Sequence, residues 1–422
     1  MAADRVRRAG QPPAASAAGR PGRRGGRVSV IPGIERLGGE QARLVRGARL
    51  GLLAHPAAVD RRLRHAATVL GGVSGTRVVR LFAPEHGIAG GAQDMEPVRE
   101  TVDPVTGLPV VSLYGEDESS LAPTPDELAG LDAIVVDLVD VGARYYTFAA
   151  TAIRLLGPAG RAGVRVIVAD RPNPLGGLAV EGGPVAPTCH SFVSELNVPA
   201  RHGLTIGELC RLAHRRRRID VELTIVRARG WRRGQWWDET GLPWVLPSPN
   251  MPTLDTATVY PGTCLVEGTN LSEGRGTTRP FELVGAPWLR ARELAERLDA
   301  RRLPGVRFRP ACFVPTFHKH AGRRCEGVQL HVVDRRRFRP VRTGAVLLAE
   351  ARAAAPDEFA WRTEPYEFVS DRPAIDLLAG GEDLRRLVDE GRPLGPLFDA
   401  WHRFEREFAT ERRGIQLYRD GP

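Results

Sequence analysis

Lysine is almost missing from this sequence: of 60 basic residues in 422, only Lys319 is one. A Gly-x-x-x-x-Gly-Lys phosphate loop is excluded with it, because Lys319 follows no such glycines. Cysteine is scarce as well. The five cysteines (189, 210, 264, 312, 325) are far apart, odd in number and form no Cys-x-x-Cys pair, so neither a disulfide framework nor a zinc site is indicated. No His-Glu-x-x-His or comparable ligand spacing occurs, and no metal is expected. No Gly-x-Gly-x-x-Gly opens a helix after the first strand-like run, which argues against a dinucleotide cofactor. No stretch approaches the ~18 consecutive apolar residues of a membrane span. The amino terminus has positive charge but no apolar core segment, so it does not read as a secretory signal, and a cytoplasmic location is the expectation.

What remains is an ordinary globular composition, 42% hydrophobic and 26% charged, long enough for two domains of ~150–200 residues. The net charge of +10 is partly local: residues 1–27 hold seven arginines against Asp4, in a Pro/Ala/Gly-rich run that reads as a disordered tail. The preference for arginine over lysine, with heavy alanine and glycine, has the look of a GC-rich coding sequence. The densest basic cluster, Arg211 with Arg215 to Arg218, reads as the solvated end of a helix. Nucleic acid is not expected as a partner.

From residue 28 to about 180, apolar β-branched runs alternate with helical stretches. Residues 48–54, 77–82, 133–138 and 164–169 read as strands, and 61–70 and 147–156 as helices. Continuous apolar strands separated by helices indicate a parallel sheet buried on both faces. A helix at 205–216 and a strand at 221–226 follow. Residues 241–287 are dominated by Pro, Gly, Asn and Thr and read as a long functional loop. Helices at 289–298, 344–353, 383–390 and 396–407, with strands at 306–308 and 327–333, complete the chain. The expected fold class is α/β: a Rossmann-like parallel-sheet N-terminal domain (28–241) with a second, smaller α+β domain (242–422).

Ligands of open parallel sheets sit beyond the carboxyl ends of the strands. Three strands here end in polar clusters: Ala83-Pro-Glu-His-Gly87, Asp140-Val-Gly-Ala-Arg-Tyr-Tyr146 and Asp170-Arg-Pro-Asn-Pro174. They bring Glu85, His86, Asp137, Asp140, Arg144, Tyr145, Asp170, Arg171 and Asn173 to one edge, a set suited to polar recognition and acid/base work. Bland readings stand beside these. Glu85 could cap a turn, His86 could orient a neighbour, and Asp137 within an apolar strand needs a partner such as Arg144 or Arg171. The later loops add Asn250 in Pro247-Ser-Pro-Asn-Met-Pro252, Tyr260 in Tyr260-Pro-Gly-Thr-Cys264, and Glu267, Asn270, Glu273 and Arg275 in the run from Glu267 to Arg279. So many donors and acceptors set among Gly and Pro suit a carbohydrate. Cys264 would be a nucleophile only with a histidine beside it.

These motifs, with Thr106-Gly-Leu-Pro-Val-Val-Ser-Leu-Tyr-Gly115 and in this order, resemble the NamZ-type exo-β-N-acetylmuramidases across nearly the whole chain. The resemblance implies a cofactor-free bacterial glycoside hydrolase that releases N-acetylmuramic acid from the non-reducing ends of peptidoglycan fragments. It implies an active site between the two domains, with Glu85 as leading catalytic carboxylate and Tyr260 as the matching tyrosine. Two alternatives stay open at this point: a non-catalytic muropeptide-binding protein, and an esterase or amidase acting on wall fragments.

Overall fold

The computed structural model describes residues 29–421, apart from 94, 99 and 100; the basic tail expected over 1–27 lies outside them. Six strands form one parallel sheet: β1 (Arg49–Ala54), β2 (Arg77–Ala83), β3 (Val110–Ser112), β4 (Ala133–Asp137), β5 (Arg165–Ala169) and β6 (Leu223–Val226). Their order is β3-β2-β1-β4-β5-β6, with every pairing parallel. The pleat divides the side chains cleanly. Leu53, Ile134, Val136, Val166 and Val168 pack with the helices Phe148–Arg161 and Ile206–Arg217. Leu50, Leu52, Val135 and Ile167 pack with the helices Gly33–Leu37 and Ala66–Gly71. Period-two alternation with both faces apolar is why these strands read as unbroken hydrophobic runs. The order reverses between β1 and β4, which opens a crevice at their carboxyl ends.

The second unit is built on a three-stranded antiparallel sheet: β7 (Leu283–Ala286), β8 (Val306–Phe313) and β9 (Cys325–Val332), in the order β7-β9-β8. The helices Ala291–Ala300 and Pro340–Ala354 cover it, and its core is continuous with one face of the larger sheet. The chain end returns to the first unit, where the Tyr418 hydroxyl donates to Asp170 Oδ2 at 2.6 Å and Leu417 N–H donates to Glu208. Among the described residues no helix is long and apolar enough to cross a membrane.

Two local expectations are corrected. The helix expected over 61–70 starts only at Ala66, because Asp60 accepts the N–H groups of Arg62 and Arg64 and Leu63 takes a positive φ, holding a turn there. The stretch read as a long loop contains the helix Leu254–Thr263 and strand β7. Pro261 and Gly262 do not break this helix. In the fold Pro261 sits in the helix's last turn, and Gly262 lets the backbone meet the helix Pro340–Ala354: a Cβ there would lie 1.9 Å from Pro340 O, and one on Gly344 would lie 2.1 Å from Gly262 O. This crossing fixes the helix that carries Tyr260.

A buried acid lies on the seam between the units. Glu181 accepts the Arg342 N–H at 2.8 Å, while its Oε2 has no partner among the described residues. Burial raises its carboxyl from 4.5 to about 7 despite the Arg342 N–H and Arg201. The folded form therefore holds the proton more tightly than the unfolded chain does. Its contribution is complete below about pH 4.5 and is lost as pH rises through about 7. Glu181→Gln, which mimics the protonated acid, should flatten the decline in melting temperature across that window; parallel slopes for the two proteins would contradict this.

Candidate active site

Above the crevice a small pocket is lined by Glu85, His86, Tyr145, Tyr146, Thr147, Ser248, Asn250, Met251, Tyr260, Glu267, Arg275, Phe281, Tyr366 and Glu367. It draws on loops after β2 and β4 and on the second unit. Glu85 follows directly on β2, where the turn Pro84 to Gly87 closes with Gly87 N–H on Pro84 O. That turn needs positive φ at both His86 (72°) and Gly87 (83°). Glu85 is buried, with Oε2 accepting from the Thr147 hydroxyl at 2.6 Å and Oε1 from Met95 N–H at 3.2 Å. Thr147 is the residue before the helix Phe148–Arg161, yet its side chain makes no capping bond; it goes to Glu85 instead. His86 Nδ1 lies 3.0 Å from Ala92 O. Since the carbonyl can only accept, that nitrogen carries hydrogen.

A second carboxylate, Glu267, receives Arg275 Nη2 at 2.7 Å and the Tyr366 hydroxyl at 2.6 Å. A third, Glu367, accepts from the Tyr114 hydroxyl at 3.0 Å. Tyr260 meets the rings of Tyr145, Tyr146 and Phe281 edge-on, with centroids 4.8–6.0 Å apart. Burial, with Cys264 and Glu267 alongside, pushes the Tyr260 phenol well above its ordinary value, which favours the neutral form, a donor and acceptor of hydrogen bonds. Burial pushes the Cys264 thiol up in the same way. A raised thiol pKa disfavours the thiolate that nucleophilic attack requires.

Strain gathers here. His86, Phe281 and Glu367 on the lining, and Met95 behind Glu85, all have φ between 47° and 72°. For side chains of this bulk such conformations cost of order 1–3 kcal/mol each and mark sites where geometry is imposed. Among the described residues no group of three His, Cys, Asp or Glu is placed to hold a metal ion.

Of the residues singled out from sequence, the structure gathers Glu85, His86, Tyr145, Asn250, Tyr260, Glu267 and Arg275 on the lining. The others lie outside it, and each is engaged by the protein itself. Asp137 and Arg171 form a buried bidentate pair at 2.5 and 2.8 Å, with Arg171 also on Val59 O. Asp140 accepts Gly142 N–H and faces His202 Nε2 at 3.3 Å. Arg144 spends its guanidinium on the carbonyls of Gly183, Val198 and Leu378, stapling the two units, and burial lowers it to about 10. Asp170 takes bonds from Thr205, Gly207 and Tyr418; burial nevertheless raises its carboxyl to about 6. Asn173 braces Leu204 O and Leu175 N–H, and Asn270 braces Glu358 O and Ala360 N–H. Glu273 is an ion-pair hub for Lys319, His318 and Arg275. Burial alone would raise its carboxyl, but these cations hold it far below the usual range.

Sequence reasoning missed Thr147, Phe281, Tyr366 and Glu367 as site residues. Phe281 and the pair Tyr366-Glu367 belong to segments with no motif-like spacing, and only the fold brings them in. Tyr146, Ser248 and Met251 sat inside quoted motifs without being chosen. The clearest available signal was adjacency: Tyr146 and Thr147 follow directly on Tyr145.

Comparison with known proteins places this geometry. Residues 50–255 match the model for the N-terminal part of exo-β-N-acetylmuramidase NamZ, and residues 258–418 match that for its C-terminal part. The peptidoglycan β-N-acetylmuramidase NamZ of Bacillus subtilis (strain 168) is 40% identical over 389 residues, 92% of this chain and 91% of the relative. A DUF1343 family protein from Bacteroides fragilis NCTC 9343 superposes with a TM-score of 0.83 at 31% identity, over 93% of this chain and all of the other. A second DUF1343 protein from that bacterium gives 0.73 at 25%, over 93% of this chain and 99% of the other. The chain belongs to the NamZ exo-β-N-acetylmuramidase family.

Proposed function

We propose that this protein is an exo-β-N-acetylmuramidase, a glycoside hydrolase that removes terminal non-reducing N-acetylmuramic acid from peptidoglycan fragments. The observation that carries this reading is one pocket lined by three carboxylates, of which Glu85 and Glu267 are differently supported. Glu85 is fixed by two neutral donors, and Glu267 is fixed by a guanidinium and a phenol. Glycosidic cleavage asks for such a pair. Glu85 gives its proton to the leaving oxygen as the bond to the anomeric carbon breaks. Glu267 stabilises the positive charge that develops on the ring. Water then supplies the anomeric hydroxyl and the proton that restores the acid. Tyr260 and its neighbouring rings form an apolar wall, and His86, locked by Ala92 O, buttresses the Glu85 turn. Arg275 is the one guanidinium on the described lining, and the lactyl carboxylate of the substrate is its natural partner.

Para-nitrophenyl β-N-acetylmuramide should release para-nitrophenolate, and the corresponding N-acetylglucosaminide should react at least about tenfold more slowly, a difference of one ion-paired contact. Binding without any product would favour a sugar-binding protein, and equal rates on the two sugars would remove the lactyl role of Arg275.

A further inference from the structure

A second pocket lies on the seam between the two units and shares no lining residue with the catalytic one. Its volume of about 370 Å³ falls within the range of small-molecule sites. The first unit contributes Arg201, Arg233 and Trp236 with an aliphatic wall, and the second contributes Arg335 and Arg336. The described lining thus holds four guanidinium groups and no carboxylate.

Two of the four are compensated from behind. Arg233 pairs with Glu208 at 2.6 Å, and Arg335 pairs with Asp238 and Glu239 at 2.8 and 3.5 Å. Arg201 is not compensated. Its residue is 4% exposed, yet of its three side-chain nitrogens only Nη2 finds an acceptor among the described residues, Leu175 O at 2.9 Å. Glu181 acts on it without a hydrogen bond, and burial raises that carboxyl to about 7. A buried charge with spare donors is costly unless something pairs with it. The Trp236 ring offsets part of that cost: the Arg201 guanidinium lies 5.4 Å from the ring centroid and the Arg335 guanidinium 4.7 Å. The indole so fixes two cations side by side at the pocket. Arg336 adds a third, exposed guanidinium. Leu175, Leu178 and Ala179 form the rest of the wall, and Leu178 is 52% exposed. A guanidinium with spare donors, held beside aliphatic side chains, matches a carboxylate carried on an apolar body.

We propose that this pocket binds a small aliphatic monocarboxylate, with Arg201 receiving the carboxylate and Leu175 and Leu178 covering the hydrocarbon. The proposal stands apart from the hydrolase reading and is tested without substrate turnover, by calorimetric titration of the whole protein with hexanoate, acetate, hexanamide and inorganic phosphate. Hexanoate should bind at least about tenfold more tightly than acetate, which lacks its hydrocarbon. It should also exceed uncharged hexanamide by at least about tenfold. Arg201→Met should abolish hexanoate binding. Leu178→Glu, which sets a like charge on an exposed part of the wall, should weaken it at least about tenfold, and supplies the test should Arg201→Met fail to fold. No hexanoate binding at millimolar concentration would overturn the proposal. Acetate, hexanamide or phosphate binding as tightly as hexanoate would overturn it too, as would hexanoate binding that Leu178→Glu leaves unchanged.

Discussion

Replacing Glu85 with glutamine is expected to reduce hydrolysis of a peptidoglycan oligosaccharide by about 10²–10⁴-fold, the range of general acid–base catalysis, while leaving sugar binding in place. The substitution is close to isosteric in this setting. The amide oxygen can keep the Met95 N–H, and its NH₂ can face the Thr147 hydroxyl, which rotates from donor to acceptor. Only the transferable proton is lost. The loss should depend on the leaving group. Para-nitrophenolate departs without protonation, so the defect on para-nitrophenyl β-N-acetylmuramide should be at least about tenfold smaller than on the oligosaccharide. A Glu85→Gln enzyme that retains more than about a tenth of wild-type oligosaccharide turnover would remove Glu85 from the acid role.

Glu267→Gln is expected to behave differently, with a loss of about 10²–10³-fold that is the same for both leaving groups. Its carboxylate acts on charge at the sugar ring, and that charge develops whichever group departs. The two hydrogen bonds at Glu267 explain why a neutral replacement is costly beyond the missing charge. Arg275 would be left facing an amide while still paired with Glu273, and Tyr366 would lose a charged acceptor. The readout is the ratio of kcat losses on the two substrates, with sugar binding followed separately. A leaving-group-dependent loss at Glu267 would exchange the two roles.

The fold was largely legible because the parallel sheet is buried on both faces. Residues 50–54 and 133–136 carry no polar side chain, and no amphipathic helix has that pattern. The candidate site was legible where a short motif is its own structural device, as in the Pro84–Gly87 turn that fixes Glu85 at a strand end. It was least legible for polar residues inside the fold. Asp137, Arg144 and Asp170 stand at the same carboxyl edge as Glu85, and from sequence a charge awaiting a ligand looks the same as one awaiting a protein partner. What separates them is long-range: Arg144 finds Leu378, and Asp170 finds Tyr418. Tyr366 and Glu367 are the converse, ordinary in their own segment and brought to the cavity only by the packing of the second unit. Lys319 joins these cases. A compact ammonium meets two carbonyls and one carboxylate there, a geometry that the planar fork of arginine does not reproduce.

The most direct measurement is a crystal structure of Glu85→Gln bound to an oligosaccharide that ends in N-acetylmuramic acid. The terminal sugar should occupy the cavity between Glu267 and the Tyr260 rings, with the glycosidic oxygen within hydrogen-bond reach, ~3 Å, of the residue 85 amide. A terminal sugar bound elsewhere, or one whose glycosidic oxygen faces Glu267 and not position 85, would contradict the account.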